Sequence, residues 1–446
     1  MTTFVPEPRL LWSERGRDWP HRYLPARPAR TEGLPSSADV VVVGAGPAGL
    51  AVASALWHLD VRDVVLVDRT GGVCRRFLDR VDTLAQRVLR SPYEHHPGVE
   101  GYRDCELLDF ARLQWSWLSA TERTQIRMAQ AGHRSVVPVD VFEAYCRHVA
   151  SLHGVRERTW RGEVLELRRE NGGVAVRTRA GGIRARTVVL CQGEERRLVP
   201  EQWCGGGPLP PAFGYWDAPV PGGARSVVVV GAGLTAAHVI GRSLAEGRRV
   251  DWVMREQAER FQCSDVNASF FRAEGRARFD GGVPWPDRLS LMGRQRRASV
   301  MFEFRPLLEE AERAGRLRVH RGRAVESLAG PGGAAEVALA GGARVRGDYA
   351  VLALGTVPSI GERLLSGEIV GTRDGWPDLD ERTLAYRRAP EVFAVGAAAC
   401  MVLGPAARNI DGHRVATARV AATIAARLSA GTGTAAITRG EVEALV

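Results

Sequence analysis

Two short glycine-rich runs are the residues whose types and spacing point most directly to chemistry. Gly44-Ala45-Gly46-Pro47-Ala48-Gly49 and Gly231-Ala232-Gly233-Leu234-Thr235-Ala236 share a Gly-x-Gly-x-x-small pattern. A turn of this kind can cradle a dinucleotide pyrophosphate, whose negative charges need backbone N–H donors at close range. The first glycine permits the tight turn and the second removes a Cβ that would block the phosphates. The third small residue lets the following helix pack closely, with its N-terminus facing the ligand. A lone match is weak. Here each run follows a Val-rich segment, 39–43 or 226–230, and opens a segment of helical composition, 50–59 or 234 to about 245. The next apolar runs, 64–67 and 250–254, end in Asp68 and Arg255, each the same number of positions after its first glycine. Asp68 can accept hydrogen bonds from an unphosphorylated ribose, whereas Arg255 can pair with a 2′-phosphate. The two motifs therefore read as FAD first and NADPH second.

The elements that must position these motifs are repeated as well. Each copy is followed by β-rich stretches with glycine turns: 162–167, 174–178 and 187–193, then 324–328, 335–339 and 348–355. A further strand at 392–396 leads to an Ala-rich helical segment, 413–428. The expected fold is α/β with two Rossmann-like dinucleotide-binding domains, the FAD domain being discontinuous. The boundaries are an N-terminal extension 1–36, a first FAD-binding part 37–204, an NADPH-binding domain 222–358 with an insertion at about 256–305, a second FAD-binding part 359–430, and a tail 431–446. Pro/Gly-rich linkers are expected at 205–223 and 356–377. The apolar stretch 38–59 carries glycines and a proline at motif spacing, so it reads as a buried strand, turn and helix, not a membrane span.

Composition narrows the function classes. A chain of 446 residues with 45% hydrophobic and 25% charged residues is expected to form two or more globular domains. The net charge is +10, yet all 61 basic residues are Arg. The absence of Lys excludes Schiff-base and P-loop lysine chemistry. No basic run has interleaved aromatics, so no nucleic-acid partner is expected. The start lacks an apolar signal region, and a cytoplasmic protein without a membrane partner is the expectation. Seven cysteines (74, 105, 146, 191, 204, 263 and 400) form no Cys-x-x-Cys pair and no Cys/His group with zinc spacing. They read as isolated free thiols, with neither a redox dithiol nor a metal site.

The order of motifs resembles the flavoproteins with two dinucleotide-binding domains. Gly71-Gly72 resembles that family's Gly-Gly turn. Cys191-Gln192-Gly193 and Ala353-Leu354-Gly355 resemble its Ala-Thr-Gly strands, and Val392 to Gly396 the segment that returns the chain to the flavin. Leu89-Arg90-Ser91-Pro92-Tyr93, the stretch Pro138 to Tyr145, and the insertion after Arg255 with Asp265, Asn267, Phe270 and Phe271 resemble class B flavin monooxygenases of the N-hydroxylating, ornithine/lysine N-hydroxylase-like type. The resemblance implies FAD, NADPH, O2 and a small-molecule substrate, with hydroxylation of an amine nitrogen. It implies cofactor contacts at Gly44, Gly46, Pro47, Ala48, Gly49, Asp68, Arg69, Val164, Gly193, Gly396, Ala397, Asn409 and Ile410. For the second dinucleotide it implies Gly231, Gly233, Leu234, Thr235, Ala236, Arg255 and Gly355.

Candidate catalytic residues are Arg90, His95 and His96 in one loop, together with Asn267. A histidine can move a proton near neutral pH; the competing reading of His95-His96 is a solvated loop pair. Arg294, Arg296 and Arg297 either support the 2′-phosphate or form a solvated basic face. Asn409-Ile410-Asp411-Gly412 precedes a helix whose N-terminal dipole favours negative charge on a reduced flavin; alternatively Asp411 is a plain N-cap. Thr235, His238 and Ala397 depart from the residues usual at those places, and the Phe-x-Gly-x-x-x-His fingerprint of related monooxygenases is absent. Two other functions stay open: an NADPH–acceptor reductase without a dithiol, and a non-catalytic FAD-binding protein. Residues 1–36, rich in Arg, Pro and Trp, either cover the site or lie on the surface.

Overall fold

The Val-rich runs become the central strands of two parallel sheets in the computed structural model, which describes residues 7–19, 30–263, 279, 282–295 and 297–432. Strand Ser37–Val43 is flanked by Val64–Asp68 and Gly181–Leu190, parallel on both sides. Val40, Val41 and Val42 are fully buried, because helices or loops cover both faces of such a sheet. Thr159–Arg161 extends the sheet at one edge; on the other side Ala389–Ala394 is parallel and Ala385–Tyr386 pairs antiparallel beyond it as the edge. Val164–Glu170, Gly173–Thr178 and Gly181–Leu190 form an antiparallel meander. One sheet thus joins residues from both ends of the chain, and the first unit is discontinuous.

The second sheet repeats the plan. Its order is Phe213–Tyr215, Tyr349–Leu352, Ser226–Val230, Arg249–Val253 and Leu317–His320, all parallel. Val325–Ala329, Ala335–Leu339 and Arg344–Gly347 make a separate antiparallel sheet beside it. The motif helices are Pro47–His58 and Leu234–Ala245. Proline at the first position of the earlier helix is tolerated because its missing N–H would have no intrahelical partner there.

Two sequence expectations need correction. The linkers are not structureless. Phe213–Tyr215, inside 205–223, is the edge strand of the second sheet, and Thr356–Pro358 pairs antiparallel with Glu194–Arg196 where the chain crosses between units. The described part of the extension, 7–19, neither covers the cofactor cavity nor lies free. Leu10 and Leu11 are buried in the second unit's core, while Arg15 pairs with Asp82 and Glu143, and Arg17 with Glu122 and Asp140, in the first unit. All seven cysteines are free thiols, and burial in the first unit's core, with Cys74 nearby, pushes Cys146 well above the ordinary thiol range. No helix among the described residues is long and apolar enough to cross a membrane.

Candidate cofactor site

The first glycine motif closes one end of a cavity of about 580 Å³. Its glycines divide the work. A Cβ on Gly44, which has φ +103°, would meet the Cys191 carbonyl oxygen at 2.5 Å; one on Gly49 would meet the Gly44 carbonyl oxygen at 2.0 Å. Both glycines are therefore needed for packing turn against strand and helix. A Cβ on Gly46 would meet nothing within 4 Å, because it would point into the open cradle. The helix starting at Pro47 aims its N-terminus at the same space, a favourable place for phosphate charge. The second motif repeats the packing role: a Cβ on Gly231, φ +138°, would meet the Ala353 carbonyl oxygen at 2.3 Å. Gly233 is nearly as open as Gly46, its nearest neighbour being the Ala298 Cβ at 3.9 Å. Ala236, fully buried, stands where the first motif has Gly49.

Asp68 lines the cavity. Its Oδ2 accepts from Ala45 N–H (2.9 Å) and its Oδ1 from the Thr70 N–H (2.8 Å) and hydroxyl (2.6 Å). The carboxylate is fixed at the mouth of the glycine turn, where one ribose hydroxyl can share it. Arg69, Arg76, Arg80, Arg90, Arg363 and Arg408 also line the cavity. Two carboxylates after Gly193 hold several of them. Glu194 pairs with Arg408 and accepts from the Thr356 hydroxyl, and Glu195 pairs with Arg76 and Arg69. Burial pushes Glu195 up, but the Arg76 hydrogen bond and the neighbouring positive charges outweigh it and hold the carboxyl below its ordinary value.

Two buried polar atoms on the cavity wall have no hydrogen-bond partner, Gln192 Oε1 and His413 Nδ1. Leaving such atoms unpaired costs about 1–3 kcal/mol each, a cost that a polar ligand in the cavity could offset. Burial lowers His413 to about 4, so its ring is neutral at neutral pH and can donate from one nitrogen and accept at the other. His413 sits in the first turn of helix Ile410–Thr432, whose N-terminus faces the cavity beside Gly396 and Ala397. Cys191 is the cysteine that lines the cavity among the described residues, and burial raises its thiol above the ordinary range. Open glycine cradle, helix N-terminus, placed carboxylate and orphaned amide and imidazole together fit an FAD-sized dinucleotide.

The cavity brings together Gly44, Gly46, Pro47, Ala48, Asp68, Arg69, Val164, Gly193, Gly396, Ala397, Asn409 and Ile410, and also Arg90 and Leu234. Gly49 lies behind it. Gly231, Gly233, Thr235, Ala236 and Gly355 lie in the second unit and are not among the residues that line the cavity. Arg255 projects outward with its side chain 84% exposed, 3.2 Å from Glu256. Arg90 donates to the Gln262 carbonyl (2.9 Å) and approaches the Ser299 hydroxyl (3.1 Å), tying the first unit to the insertion.

His95 and His96 are not on the wall, and neither is solvated. His95 Nε2 lies 3.7 Å from Asp411 Oδ2, and His96 Nδ1 lies 3.3 Å from the Tyr145 hydroxyl. Burial, reinforced by the Arg414 charge, lowers both to about 4. Asp411 is not an N-cap: it lies inside the first helical turn, accepts from Arg414 (2.9 Å), and is raised to about 6 by burial and by the Glu94 charge. Arg297 is exposed. Asn267, Asp265, Phe270, Phe271 and Arg296 lie outside the described residues. Sequence reasoning missed Gln192 and His413 as residues of the cavity wall. The only available signal was their closeness to Gly193 and to the Asn409 turn.

Residues 41–195 match a family model described as FAD-NAD(P)-binding. No curated protein matches in sequence. Among solved structures, the ornithine N-hydroxylase of Kutzneria sp. 744, in a complex titled with reduced FAD, NADP+ and L-ornithine, superposes with TM-score 0.70 at 18% identity, over 88% of this chain and 100% of that one. The cadaverine monooxygenase of desferrioxamine biosynthesis from Erwinia amylovora, bound to FAD, gives 0.69 at 16% identity, over 87% and 95%. The bacillithiol disulfide reductase of Bacillus cereus gives 0.58 at 16%, over 88% and 99%.

Proposed function

We propose that this chain is an FAD-dependent, NADPH-consuming monooxygenase that places one oxygen atom on a small-molecule nucleophile, an amine nitrogen in the simplest case. The observation that carries the reading is the cavity wall. It offers a pyrophosphate cradle and two unpaired polar atoms, and its one thiol among the described residues has no thiol partner on the wall. Electrons delivered there meet no dithiol, which leaves O2 as the simplest acceptor. The fold shared with the two amine-hydroxylating proteins supports the same reading.

Bound FAD would supply the redox chemistry between nicotinamide and O2. This chain's residues hold and shield it. Gly46 and the N-terminus at Pro47 would take the pyrophosphate, Asp68 the ribose, and Gln192 and His413 the remaining polar edges. The positive end of helix Ile410–Thr432 favours negative charge accumulating in the cavity. Arg255, exposed at the end of the second motif's unit, is free to meet a 2′-phosphate at the cost of one solvated ion pair with Glu256. Substrate amine must attack unprotonated, so turnover rises with pH toward the amine's pKa.

The reductase reading stays as the alternative, favoured by the fold shared with the bacillithiol disulfide reductase. One experiment separates the two. NADPH should bleach the flavin anaerobically, and a panel of primary amines should contain one that accelerates NADPH oxidation. Its product should gain one oxygen carrying label from ¹⁸O2. Label from water, or substrate turnover without O2 consumption, would replace the monooxygenase by the reductase.

A further inference from the structure

Helix Pro47–His58 begins at the glycine cradle and ends in a different cluster. Twelve residues of α-helix put His58 about 16 Å from the motif. There His58 Nε2 lies 3.1 Å from His153 Nε2, and Cys105 Sγ lies 3.5 Å from His58 Nε2 and 3.7 Å from His153 Nε2. A tetrahedral zinc ion with Zn–N of about 2.0–2.1 Å and Zn–S of about 2.3 Å requires N···N near about 3.3 Å and N···S near about 3.6 Å. All three separations match within a few tenths of an ångström.

The surroundings are organised for a cation. His153 Nδ1 lies 2.7 Å from the Val149 carbonyl oxygen. A carbonyl only accepts, so Nδ1 carries the hydrogen and Nε2 turns its lone pair toward the other two groups. His58 is the last residue of its helix, and His153 is the C-cap of helix Val139–Leu152, so the negative ends of two helix dipoles converge on the cluster. Cys105 is fully buried and His153 nearly so. The Cys105 backbone is held in place by the Tyr145 hydroxyl, which donates to its carbonyl while accepting from Gly98 N–H. The Tyr102 ring covers His58 at 3.9 Å between centroids.

We infer that His58, Cys105 and His153 form a zinc site, with solvent as the fourth ligand, that ties the turn at 103–105 to the C-terminal ends of two core helices. Binding replaces the Cys105 S–H bond by a Zn–S bond and releases one proton to solvent; no electrons move. The inference is independent of the flavin reading, because the site shares no residue with the cofactor cavity.

The test uses the full-length protein, expressed with zinc and desalted into zinc-free buffer. Elemental analysis should find one zinc per chain, and zinc K-edge absorption should show one sulfur at about 2.3 Å with nitrogen or oxygen at about 2.0 Å. Cys105→Ser should lose the sulfur shell. His58→Ala, at the least buried ligand, should lower zinc affinity by more than the roughly 100-fold that removing a second-shell partner costs at most. A far-ultraviolet circular dichroism spectrum and a cooperative melting transition like those of wild type show that both variants are folded. If His58→Ala does not fold, His58→Gln carries the same test. A zinc-free wild-type protein that takes up none on titration, zinc without a sulfur neighbour, or full retention in folded Cys105→Ser would each overturn the site.

Discussion

Gly46 and Gly49 sit three positions apart in one turn and answer to different neighbours. At Gly46 the protein itself leaves room for a side chain, so Gly46→Val should fold with the melting temperature of FAD-stripped wild type yet purify colourless. At Gly49 a methyl group would collide with the Gly44 carbonyl oxygen. Gly49→Ala should therefore lower stability by about 1–3 kcal/mol or more, read as a lower denaturant midpoint. A yellow Gly46→Val protein would show that the pyrophosphate lies elsewhere. Arg255→Ala should raise KM for NADPH on the order of 10- to 100-fold, as loss of a charge-assisted contact predicts, and leave KM for NADH unchanged. Equal losses for both cofactors would remove Arg255 as the selector. The glycines and Asp68 were legible because their roles depend on residue type at fixed spacing. Gln192 and His413 were not, since what sets them apart is being unpaired, and pairing is a property of the fold.

At the scale of elements, buried strands were easy to read and element ends were not. Runs such as 226–230 announce a central strand by apolar content alone. Phe213–Tyr215 hides in a Pro/Gly-rich stretch, because an edge strand of three residues needs only a short half-buried segment. His58, Cys105 and His153 escaped notice for a related reason, being contributed by two helix ends and a turn that meet only after packing. The helix Leu234–Ala245 carries a further consequence. His238 is buried on it against the Phe304 ring (4.9 Å between centroids), with Nε2 unpartnered, and burial lowers it to about 3. An unfolded histidine titrates near 6.5, so between these values the unfolded chain binds a proton that the folded chain refuses. Stability is then intact above about 6.5 and falls as the pH drops, by about 1.4 kcal/mol per unit for this group. His238→Leu should move the acid-unfolding midpoint to lower pH, with little change at pH 8. A midpoint that stays put would mean that His238 finds a hydrogen-bond partner in solution.

Across the whole molecule, the two units are sewn together from several directions. Leu10 and Leu11 enter the second core while Arg15 and Arg17 grip the first, and Arg90 reaches the insertion. The covalent connection is far narrower. The chain leaves the first unit along Glu194–Arg196 and returns along Thr356–Pro358, with Arg196 and Thr356 as register partners. Paired residues of this kind stand only about 5 Å apart. A two-residue Asn-Gly turn could therefore replace everything between them and leave an ordinary hairpin. Such a deletion, with polar residues at Leu84, Val88 and Val136 where the second core now covers them, should give a shortened yellow protein that NADPH no longer bleaches. A colourless product would show that the flavin half needs its neighbour to hold the cofactor. The geometry also speaks to ancestry. A block whose two ends touch can be gained, lost or exchanged in one recombination event without disturbing the order of a single strand in its host.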